Sequence, residues 1–339
     1  MKVLVTGGGG FLGKAIVDRL VKRGHKVRSL SRSLHPDLES SGVDSSLGDL
    51  ADADAVERAV DGSDLVFHVA AKPGVWGRYY EYYLPNVVGT KNILAACRKY
   101  GVKKLVYTST PSVVHSGKNL ENADESLPYA QHFETHYPRT KAEAEQAVLA
   151  AAGPELATVA LRPHLIWGPG DNHLVPRIVS RGRSGKLRRT GSMETLVDAT
   201  YIDNAAEAHL LAADKLSIGS PISGKAYFIA NGEPMPIWTL IDGILNAAGL
   251  PPVKKTIPFW MAYSAGAVLE GVYSLLRRKE EPMMTRFVAK QLATSHWFDL
   301  SAARRDLGYE PKVTTAEGLE CLKEWFAQSR PAVNAFGKD

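Results

Sequence analysis

Short apolar runs alternate with longer amphipathic stretches through the first half of the chain. The short runs predict strands, and the stretches with apolar residues every three or four positions predict helices. The predicted strands cover residues 2–6, 26–30, 43–48, 65–70, 104–109 and 158–162. The predicted helices cover residues 11–23, 52–60, 79–100 and 137–151, and Asp52 is the expected N-cap of the second. This alternation predicts an α/β fold, in which helices cover both faces of a parallel sheet.

A glycine-rich segment directly follows the first predicted strand. Gly7, Gly10 and Gly13 are spaced three residues apart and precede the first predicted helix. Gly7 permits a tight turn, Gly10 lets the backbone approach a phosphate, and Gly13 lets the helix pack close to the sheet. The helix begins with Phe11 and Leu12, whose free N–H groups can bind a pyrophosphate. The order strand, glycines, helix therefore predicts a dinucleotide-binding, Rossmann-type doubly wound domain.

After residue 170 the alternation of predicted strands and helices becomes less regular, so we place a domain boundary there. Residues 1–170 are predicted to bind the dinucleotide, and residues 171–329 to form a smaller, mostly helical substrate-binding lobe. A strand-like run at 226–229 suggests that the chain returns to the main sheet near 195–230. Residues 330–339 are polar, and we predict a flexible tail there.

The end of the second predicted strand indicates which dinucleotide binds. Sites for NAD usually place an Asp or Glu there, which holds the ribose 2′-hydroxyl. This chain has Ser31-Arg32-Ser33, whose guanidinium and hydroxyls suit a 2′-phosphate. We therefore predict NADP(H) as the cofactor, with Asp49 and Leu50 beside the adenine. The alternative is that Arg32 is a solvated surface residue.

Tyr137 and Lys141 are four residues apart and share one face of a predicted helix. A free tyrosine has a pKa of about 10, so it is a poor acid at neutral pH. A neighbouring ammonium favours the phenolate, so we expect Lys141 to lower that pKa and also to hold ribose hydroxyls. Thr110 follows a strand, and strand alternation puts it on the same side as Thr108, where it can hydrogen-bond a substrate oxygen. These residues predict proton transfer from Tyr137 to a carbonyl oxygen as hydride reaches the carbon, although two exposed residues on an amphipathic helix would show the same spacing.

Composition narrows the class of protein further. The chain has 339 residues, 45% of them hydrophobic and 23% charged, which is ordinary for globular proteins. The net charge of +5 is too mild to indicate nucleic-acid binding. Neither the ten histidines nor Cys97 and Cys321 show metal-ligand or disulfide spacing, so we predict no metal and a reducing, cytoplasmic location. Met1 leads straight into the first strand, so we expect no signal peptide.

One segment, residues 257–276, is mostly apolar and is followed by Arg277-Arg278-Lys279. It could cover an apolar substrate pocket, or it could make peripheral contact with a membrane through residues 257–279. Interfacial segments usually carry a more strongly basic polar face, which favours the pocket cover.

Several motifs together resemble the extended short-chain dehydrogenase/reductase superfamily over residues 1–325. They are Thr6-Gly7-x-x-Gly10-x-x-Gly13, His68-Val69-Ala70-Ala71, Asn86-Val87-Val88-Gly89-Thr90, Tyr137 with Lys141, Leu161-Arg162-Pro163 and Tyr201-Ile202-Asp203-Asn204-Ala205. Within it, the chain resembles the 3β-hydroxysteroid dehydrogenase branch, which carries Thr-Arg before its last helices, here Thr285-Arg286. A narrower similarity is to the bacterial 2-alkyl-3-oxoalkanoate reductases of long-chain olefin biosynthesis. It is carried by segments 71–77, 107–113, 161–174, 197–204 and 229–234.

The resemblance has implications for the site. It implies that Thr110 replaces the superfamily's catalytic serine, with Ser109 and Ser112 as alternatives. It also implies further cofactor contacts from residues that follow strands: Ala70, Ala71, Lys72, Pro163 and Leu165. A dimer through helices near 86–100 and 137–151 is common in the superfamily, so a homodimer is expected.

The narrower similarity implies a substrate and partners. The substrate would be a β-keto acid with two long alkyl branches, reduced at C3 to the β-hydroxy acid. Later steps would belong to a β-lactone synthetase and a β-lactone decarboxylase, with which this protein could assemble. Aromatic residues that could line the alkyl pocket, or pack in the core, are Trp76, Tyr79, Tyr83, Trp167, Phe259, Trp260 and Tyr263. Candidate cations for the carboxylate are Lys72, Arg78, His164, His173 and Arg177.

Two other functions are considered. A sterol or steroid 3-hydroxy dehydrogenase would need the same tyrosine, lysine and apolar pocket. A non-enzymatic NADP(H)-binding regulator on this fold would typically lack the tyrosine or the lysine, and this chain keeps both.

Overall fold

The computed structural model describes residues 1–192 and 194–333. Strands occur from the first residues to the C-terminal third, and most of the long ones lie before residue 165. The strands, in chain order, are β1 (Lys2–Thr6), β2 (Lys26–Ser31), β3 (Asp44–Leu47), β4 (Leu65–His68), β5 (Lys104–Thr108), β6 (Leu120–Ala123), β7 (Ala157–Pro163), β8 (Ile166–Trp167), β9 (Leu196–Val197), β10 (Thr200–Tyr201), β11 (Lys225–Ile229), β12 (Met235–Pro236) and β13 (His296–Phe298).

Helices separate the strands and make up most of the C-terminal part. The α-helices, in chain order, are α1 (Phe11–Lys22), α2 (Pro36–Ser40), α3 (Ala53–Val60), α4 (Tyr79–Tyr83), α5 (Gly89–Lys99), α6 (His136–Ala150), α7 (Leu174–Arg183), α8 (Ile202–Lys215), α9 (Ile237–Ala247), α10 (Phe259–Leu275), α11 (Arg286–Ala293), α12 (Ser301–Leu307) and α13 (Thr315–Val333). A π-helical turn, Leu84–Val88, joins α4 to α5, and a 3₁₀ turn, Pro111–Val113, follows β5.

A seven-stranded parallel sheet forms the centre, in the order β11-β7-β5-β4-β1-β2-β3. The predicted doubly wound α/β fold is confirmed, and β11 adds a strand from the second half of the chain, within the range where a return was expected. The strand order reverses between β1 and β4, which opens a crevice at their carboxyl ends. The glycine segment leaves β1 at this crevice.

Alternate residues of β1 pack against opposite helix layers. Val3 and Val5 belong to the apolar cluster that contains residues of α1 and α8, whereas Leu4 belongs to the cluster of α3 and α5. Both faces of the strand are therefore buried, as is typical of parallel sheets.

The predicted helix 79–100 is interrupted. Pro85 lacks an N–H group and clashes with the preceding turn, and the chain widens into the π-helical turn there. Asp52 is confirmed as the N-cap of α3, since its carboxylate accepts hydrogen bonds from Asp54 and Ala55 N–H. At the C-terminus, α13 continues to Val333 and so includes the start of the predicted tail. The rest of that tail lies outside the described residues.

A buried ion pair fixes α6 to the sheet. Glu145 of α6 accepts hydrogen bonds at 2.6–3.2 Å from the guanidinium of Arg162 on β7, and both side chains are almost fully buried. The Tyr129 hydroxyl donates to the same carboxylate at 2.7 Å, and the Phe228 ring lies 5.2 Å from the guanidinium. Burial of one charge without the other would be costly, so this pair fixes how α6 is seated.

We predict that Glu145→Gln lowers the free energy of unfolding by about 3–5 kcal/mol, because Arg162 would remain buried without a counter-charge. Glu143→Gln on the same helix is the matched control: its partner Arg139 is exposed, so the cost is expected to stay below about 1 kcal/mol. Urea unfolding of both variants measures the difference, and equal costs would contradict the anchoring role of the buried pair.

Candidate active site

The glycine loop forms a tight turn at the start of α1. Gly7 adopts φ +70°, and its N–H donates to Leu30 O at 2.8 Å. A Cβ atom on Gly13 would lie 2.0 Å from Gly7 O, so only glycine permits this close packing. No side chain caps the helix, whose first residues, Phe11 and Leu12, begin at the crevice. The uncapped N–H groups at this helix N-terminus fit a pyrophosphate.

A network of buried, hydrogen-bonded polar groups lies next to the crevice. The Thr6 hydroxyl accepts hydrogen bonds from Val69 and Ala70 N–H at 3.1 Å and contacts His68 Nδ1 at 2.8 Å. His68 Nε2 lies 2.9 Å from the Thr90 hydroxyl, which donates to Asn86 O at 2.6 Å. The Thr90 proton is thus used, so His68 Nε2–H donates to Thr90 and Nδ1 accepts from Thr6. Burial lowers the pKa of His68 to about 3, which keeps the ring neutral as this network requires.

Asn86 connects this network to the helix that carries Tyr137 and Lys141. Its side chain accepts from Lys72 N–H at 2.7 Å and donates to Lys72 O and to the Thr140 hydroxyl. Thr140 in turn donates to backbone carbonyls at the start of α6. The loop after β4 and the first turn of α6 are therefore held in one arrangement. No local sequence pattern indicates this role of Asn86, which the sequence shows only as part of the motif Asn86-Val87-Val88-Gly89-Thr90.

The loop after β2 lies beside the glycine loop. Arg32 and Ser33 are exposed and directly follow Ser31, the last residue of β2. Further along this loop, the His35 ring lies where a Cβ atom on Gly9 would be. The loop therefore folds over the glycine segment. An ion pair between Lys14 and Asp37 holds α2 near α1. Arg32 thus stands on a loop in contact with the dinucleotide site, a position that fits the predicted 2′-phosphate contact.

The residues after β3 and β4 line the same edge of the sheet. Exposed Asp49 accepts a hydrogen bond from Ala51 N–H, and buried Leu50 packs against Gly89. Ala70 lies against Gly7, with 3.0 Å between its Cβ and a Cβ built on the glycine. Ala71 follows it on the loop after β4. The structure thus brings the predicted cofactor residues of the first four strands to one edge.

Lys141 lies in the protein interior beneath the end of β5. Its ammonium donates to Thr108 O at 2.6 Å and sits 4.1 Å from the centre of the Tyr107 ring. Burial lowers the pKa of Lys141 to about 7, and Glu145, one turn further along α6, opposes this shift. The pKa of Lys141 therefore lies near neutral pH, where the side chain can be charged or neutral.

Tyr137 lies one turn before Lys141, at the start of α6. Burial raises its pKa to about 12, and a hydrogen-bond interaction with Thr110 opposes the rise. The prediction that Lys141 lowers the tyrosine pKa is wrong in direction, because the loss of solvation sets the shift and the Lys141 ammonium donates to Thr108 O instead. Tyr137 is a protonated phenol here.

The structure around Thr110 differs from the strand alternation that was predicted there. β5 ends at Thr108, whose hydroxyl contacts His209 Nε2 on α8 at 2.8 Å, so strand alternation does not extend to Thr110. Thr110 instead begins the 3₁₀ turn, and its hydroxyl lies 2.8 Å from that of Ser112. Ser109 is buried, and its hydroxyl has no hydrogen-bond partner among the described residues. Thr110, with Ser112 beside it, interacts with the Tyr137 hydroxyl, and its catalytic role stays a prediction.

Two cavities are lined in part by residues of the C-terminal part of the chain. The smaller, of about 320 Å³, is lined by Trp76, Tyr82, Tyr263 and His136, the residue before Tyr137. The larger, of about 700 Å³, is lined by the segment 256–259, including Phe259, and by residues of α11. Both volumes suit small-molecule ligands. Lys290, which lines the larger cavity, pairs with Glu134, which lines the smaller, so this pair stands between them.

The other residues predicted to line the alkyl pocket or to bind the carboxylate lie partly in the core and partly at the surface. Trp167 is fully buried against Tyr201, whereas Trp260 is 67% exposed. Lys72 and Arg177 are already paired, with Glu81 and Glu281. His164 is buried and contacts Asp198 O through Nδ1.

The loop after β7 completes the edge of the sheet. Pro163 ends β7, and Leu165 adopts φ +44°, a strained conformation for a branched side chain. Among the described residues, no group of three or more His, Cys, Asp or Glu side chains could hold a metal ion.

Comparison with known proteins identifies the family. The profile of the 3-beta hydroxysteroid dehydrogenase/isomerase family matches residues 4–259. The chain belongs to this family. Family members of known sequence include a 2-alkyl-3-oxoalkanoate reductase from Stenotrophomonas maltophilia, 54% identical over 95% of this chain and 98% of that protein. The protein of the same name from Shewanella oneidensis is 51% identical over 94% of this chain and 84% of its own length.

More distant relatives act on sterols. Mouse sterol-4-alpha-carboxylate 3-dehydrogenase (decarboxylating) is 36% identical over 97% of this chain and 92% of its own length. The family assignment and these relatives make the chain an oxidoreductase.

Solved structures agree on the fold. The crystal structure of gox2253 has a TM-score of 0.77 and 27% identity, covering 96% of this chain and 98% of that one. A Thermus thermophilus UDP-glucose 4-epimerase, solved with NAD, has a TM-score of 0.72 and 26% identity, covering 96% of this chain and 99% of that one. A nicotinamide cofactor thus fits both the fold and the glycine loop.

A search of the described residues found no helix long and apolar enough to span a membrane. The cytoplasmic location and the homodimer stay predictions.

We predict that Lys141→Met stabilises the protein most near pH 6. At that pH the folded wild type must hold a buried ammonium, which methionine avoids. The unfolded lysine keeps its ordinary pKa of 10.5 and the folded one titrates at about 7, so the wild type recovers stability as pH rises between these values. Urea unfolding at about pH 6 and about pH 9.5 measures the gap between the two proteins, which should shrink at the higher pH. The exposed Lys91→Met is the control, and a pH-independent gap for Lys141→Met would contradict the depressed pKa.

Proposed function

We propose that this protein reduces a 2-alkyl-3-oxoalkanoate to the 2-alkyl-3-hydroxyalkanoate with NADPH, within hydrocarbon (olefin) biosynthesis. The observation that carries the proposal is the Tyr137–Lys141 face of α6: Lys141 is buried, Tyr137 is half-buried, and the preceding residue, His136, lines the smaller cavity. Similarity over nearly the whole chain to two 2-alkyl-3-oxoalkanoate reductases supports the substrate class.

The proton transfer follows from the state of Tyr137. When bound, reduced nicotinamide supplies a hydride, which would add to C3 of the keto acid. Charge then develops on the C3 oxygen, and the protonated Tyr137 hydroxyl can give up its proton to that oxygen. The Thr110 hydroxyl, held beside Ser112, would hydrogen-bond the same oxygen and keep it near the phenol. Lys141, one turn away, would favour the phenolate that the transfer leaves behind.

The choice of NADPH rests on the loop after β2. No acidic residue stands at the end of that strand, and the exposed Arg32 guanidinium is available for a 2′-phosphate.

A sterol-4-carboxylate 3-dehydrogenase is the second candidate, favoured by the mouse relative. It would use the same tyrosine and lysine in the oxidative direction. The proposal also includes the pathway partners: a β-lactone synthetase and a β-lactone decarboxylase would act on the product.

The first experiment measures NADPH oxidation with a long-chain 2-alkyl-3-oxo acid, a 3-ketosteroid and no substrate. Turnover is expected only with the keto acid, and Tyr137→Phe is expected to lower kcat by about 10²–10⁴-fold, because the acid is lost. Tyr80→Phe is the matched control, since Tyr80 is 65% exposed, and its kcat should not change. Turnover with the steroid alone would move the protein to the second candidate. Near-normal turnover by Tyr137→Phe would refute the proton-donor role.

The second experiment tests the cofactor. Arg32→Ala is expected to raise the KM for NADPH about tenfold or more, as loss of a charge-assisted contact predicts, and to leave the KM for NADH nearly unchanged. Exposed Arg98→Ala on α5 is the control. If the ratio of the KM values for NADPH and NADH is unchanged in Arg32→Ala, the guanidinium does not bind the 2′-phosphate.

A further inference from the structure

The two cavities described above are neighbours, and two pairs of side chains connect their linings. Phe259 lines the larger cavity and Tyr263 lines the smaller one, and the centres of the two rings lie 5.7 Å apart. Lys290 lines the larger cavity and forms an ion pair with Glu134, which lines the smaller one. One aromatic pair and one charged pair thus form the wall between the cavities.

The ion pair is packed into this wall. A Cβ atom on Gly117 would lie at van der Waals distance from both charged groups, 3.5 Å from Glu134 Oε1 and 3.7 Å from Lys290 Nζ. The Lys290 ammonium also lies 5.7 Å from the centre of the Tyr263 ring. Only 30% of the Lys290 side chain and 34% of the Glu134 side chain are exposed. Neighbouring groups therefore hold the pair in place.

The charges around the cavities are paired. Among the described residues that line the larger cavity, Lys290 is the only charged one. In the smaller cavity, Glu270 pairs with Arg286, and Glu134 pairs with Lys290 across the wall. An alkyl chain that passed from one cavity to the other would separate Lys290 from Glu134 and remove solvent from both. Methylene groups cannot replace the lost charge contact, so this passage is costly.

We propose that the Lys290–Glu134 pair determines substrate specificity, because it confines each alkyl branch to one cavity and so limits the branch length that is accepted. This inference rests on the proposed function, in which the substrate carries two alkyl branches on neighbouring carbon atoms. The cavities measure about 320 Å³ and about 700 Å³, so the limit applies first to the branch in the smaller cavity. A purely structural tie between α11 and the segment before α6 would affect all substrates alike.

Binding of 2-alkyl-3-hydroxy acids tests this limit without turnover, because these acids cannot react with NADPH. Isothermal titration calorimetry with NADPH present compares two series, in which either the C2 branch or the C3 chain is lengthened. Wild-type affinity should rise about fourfold for each added methylene group. In one series it should stop rising once the branch reaches the ion pair. In Lys290→Ala with Glu134→Ala, the rise should continue to longer branches, and the affinity for the shortest acids should stay nearly the same.

Three further variants serve as checks. Lys290→Met with Glu134→Gln removes both charges at nearly constant volume, and it should shift the limit in the same direction even if the alanine variant does not fold. Lys290→Glu with Glu134→Lys restores an ion pair with reversed charges and should keep the wild-type limit. Lys99→Ala with Glu57→Ala removes an ion pair between α5 and α3 that lines neither cavity, and it should also keep the wild-type limit.

Several outcomes would overturn the proposal. They are a limit at the same branch length in the wild type and the uncharged variants, wild-type affinities that rise without a limit in both series, an equal loss of affinity for all acids in the uncharged variants, and a wild type that binds none of the acids. NADPH oxidation with the corresponding oxo acids tests the proposed function separately. Turnover without a shifted limit refutes only the role of the ion pair, and a shifted limit without turnover refutes only the reduction.

Discussion

The arrangement of the site depends on one face of α6, which carries Tyr137, Lys141 and Glu145 at successive turns. Glu145 is held by the Arg162 guanidinium inside the protein, and this pair fixes the helix against the sheet. Lys141 is then forced under Tyr107, where its ammonium reaches Thr108 O. Tyr137 emerges at the end of the same face, beside the crevice and the smaller cavity. Burying Lys141, Glu145 and Arg162 costs solvation free energy. In return, these charges fix α6 and so determine where the Tyr137 hydroxyl lies.

A second set of buried groups aligns the cofactor loop with this helix. Thr6, at the end of β1, contacts His68, and the chain of hydrogen bonds continues through Thr90 and Asn86 to the first turn of α6. Every proton in this chain has an assigned acceptor, so neither the glycine loop nor the loop after β4 can shift without breaking a buried hydrogen bond. One connected framework therefore positions both the glycine loop and the Tyr137 phenol.

The sequence predicted what depends on local patterns. The six strands predicted in the first half, the glycine turn and the Asp52 cap were placed to within about two residues, because periodicity and capping act over short distances. The short strands β6 and β8 were not predicted. The role of Asn86 was missed, since it joins segments far apart in the chain. The direction of the Tyr137 pKa was wrong, because a neighbouring charge is visible in a sequence and burial is not. Residues 257–276 were identified as apolar, but only the structure shows which of them line a cavity.

If the protein performs the proposed reduction, a hydride moves to C3 of the substrate and stays there. The most direct measurement uses NADPH carrying deuterium at C4 of the nicotinamide, on the transferred side, with a long-chain 2-alkyl-3-oxo acid. Mass spectrometry and NMR of the product are expected to show one deuterium on C3 and a solvent-derived hydrogen on the oxygen. Deuterium that returns to the cofactor, or a product with none, would contradict the account, because the site would then not perform a net reduction.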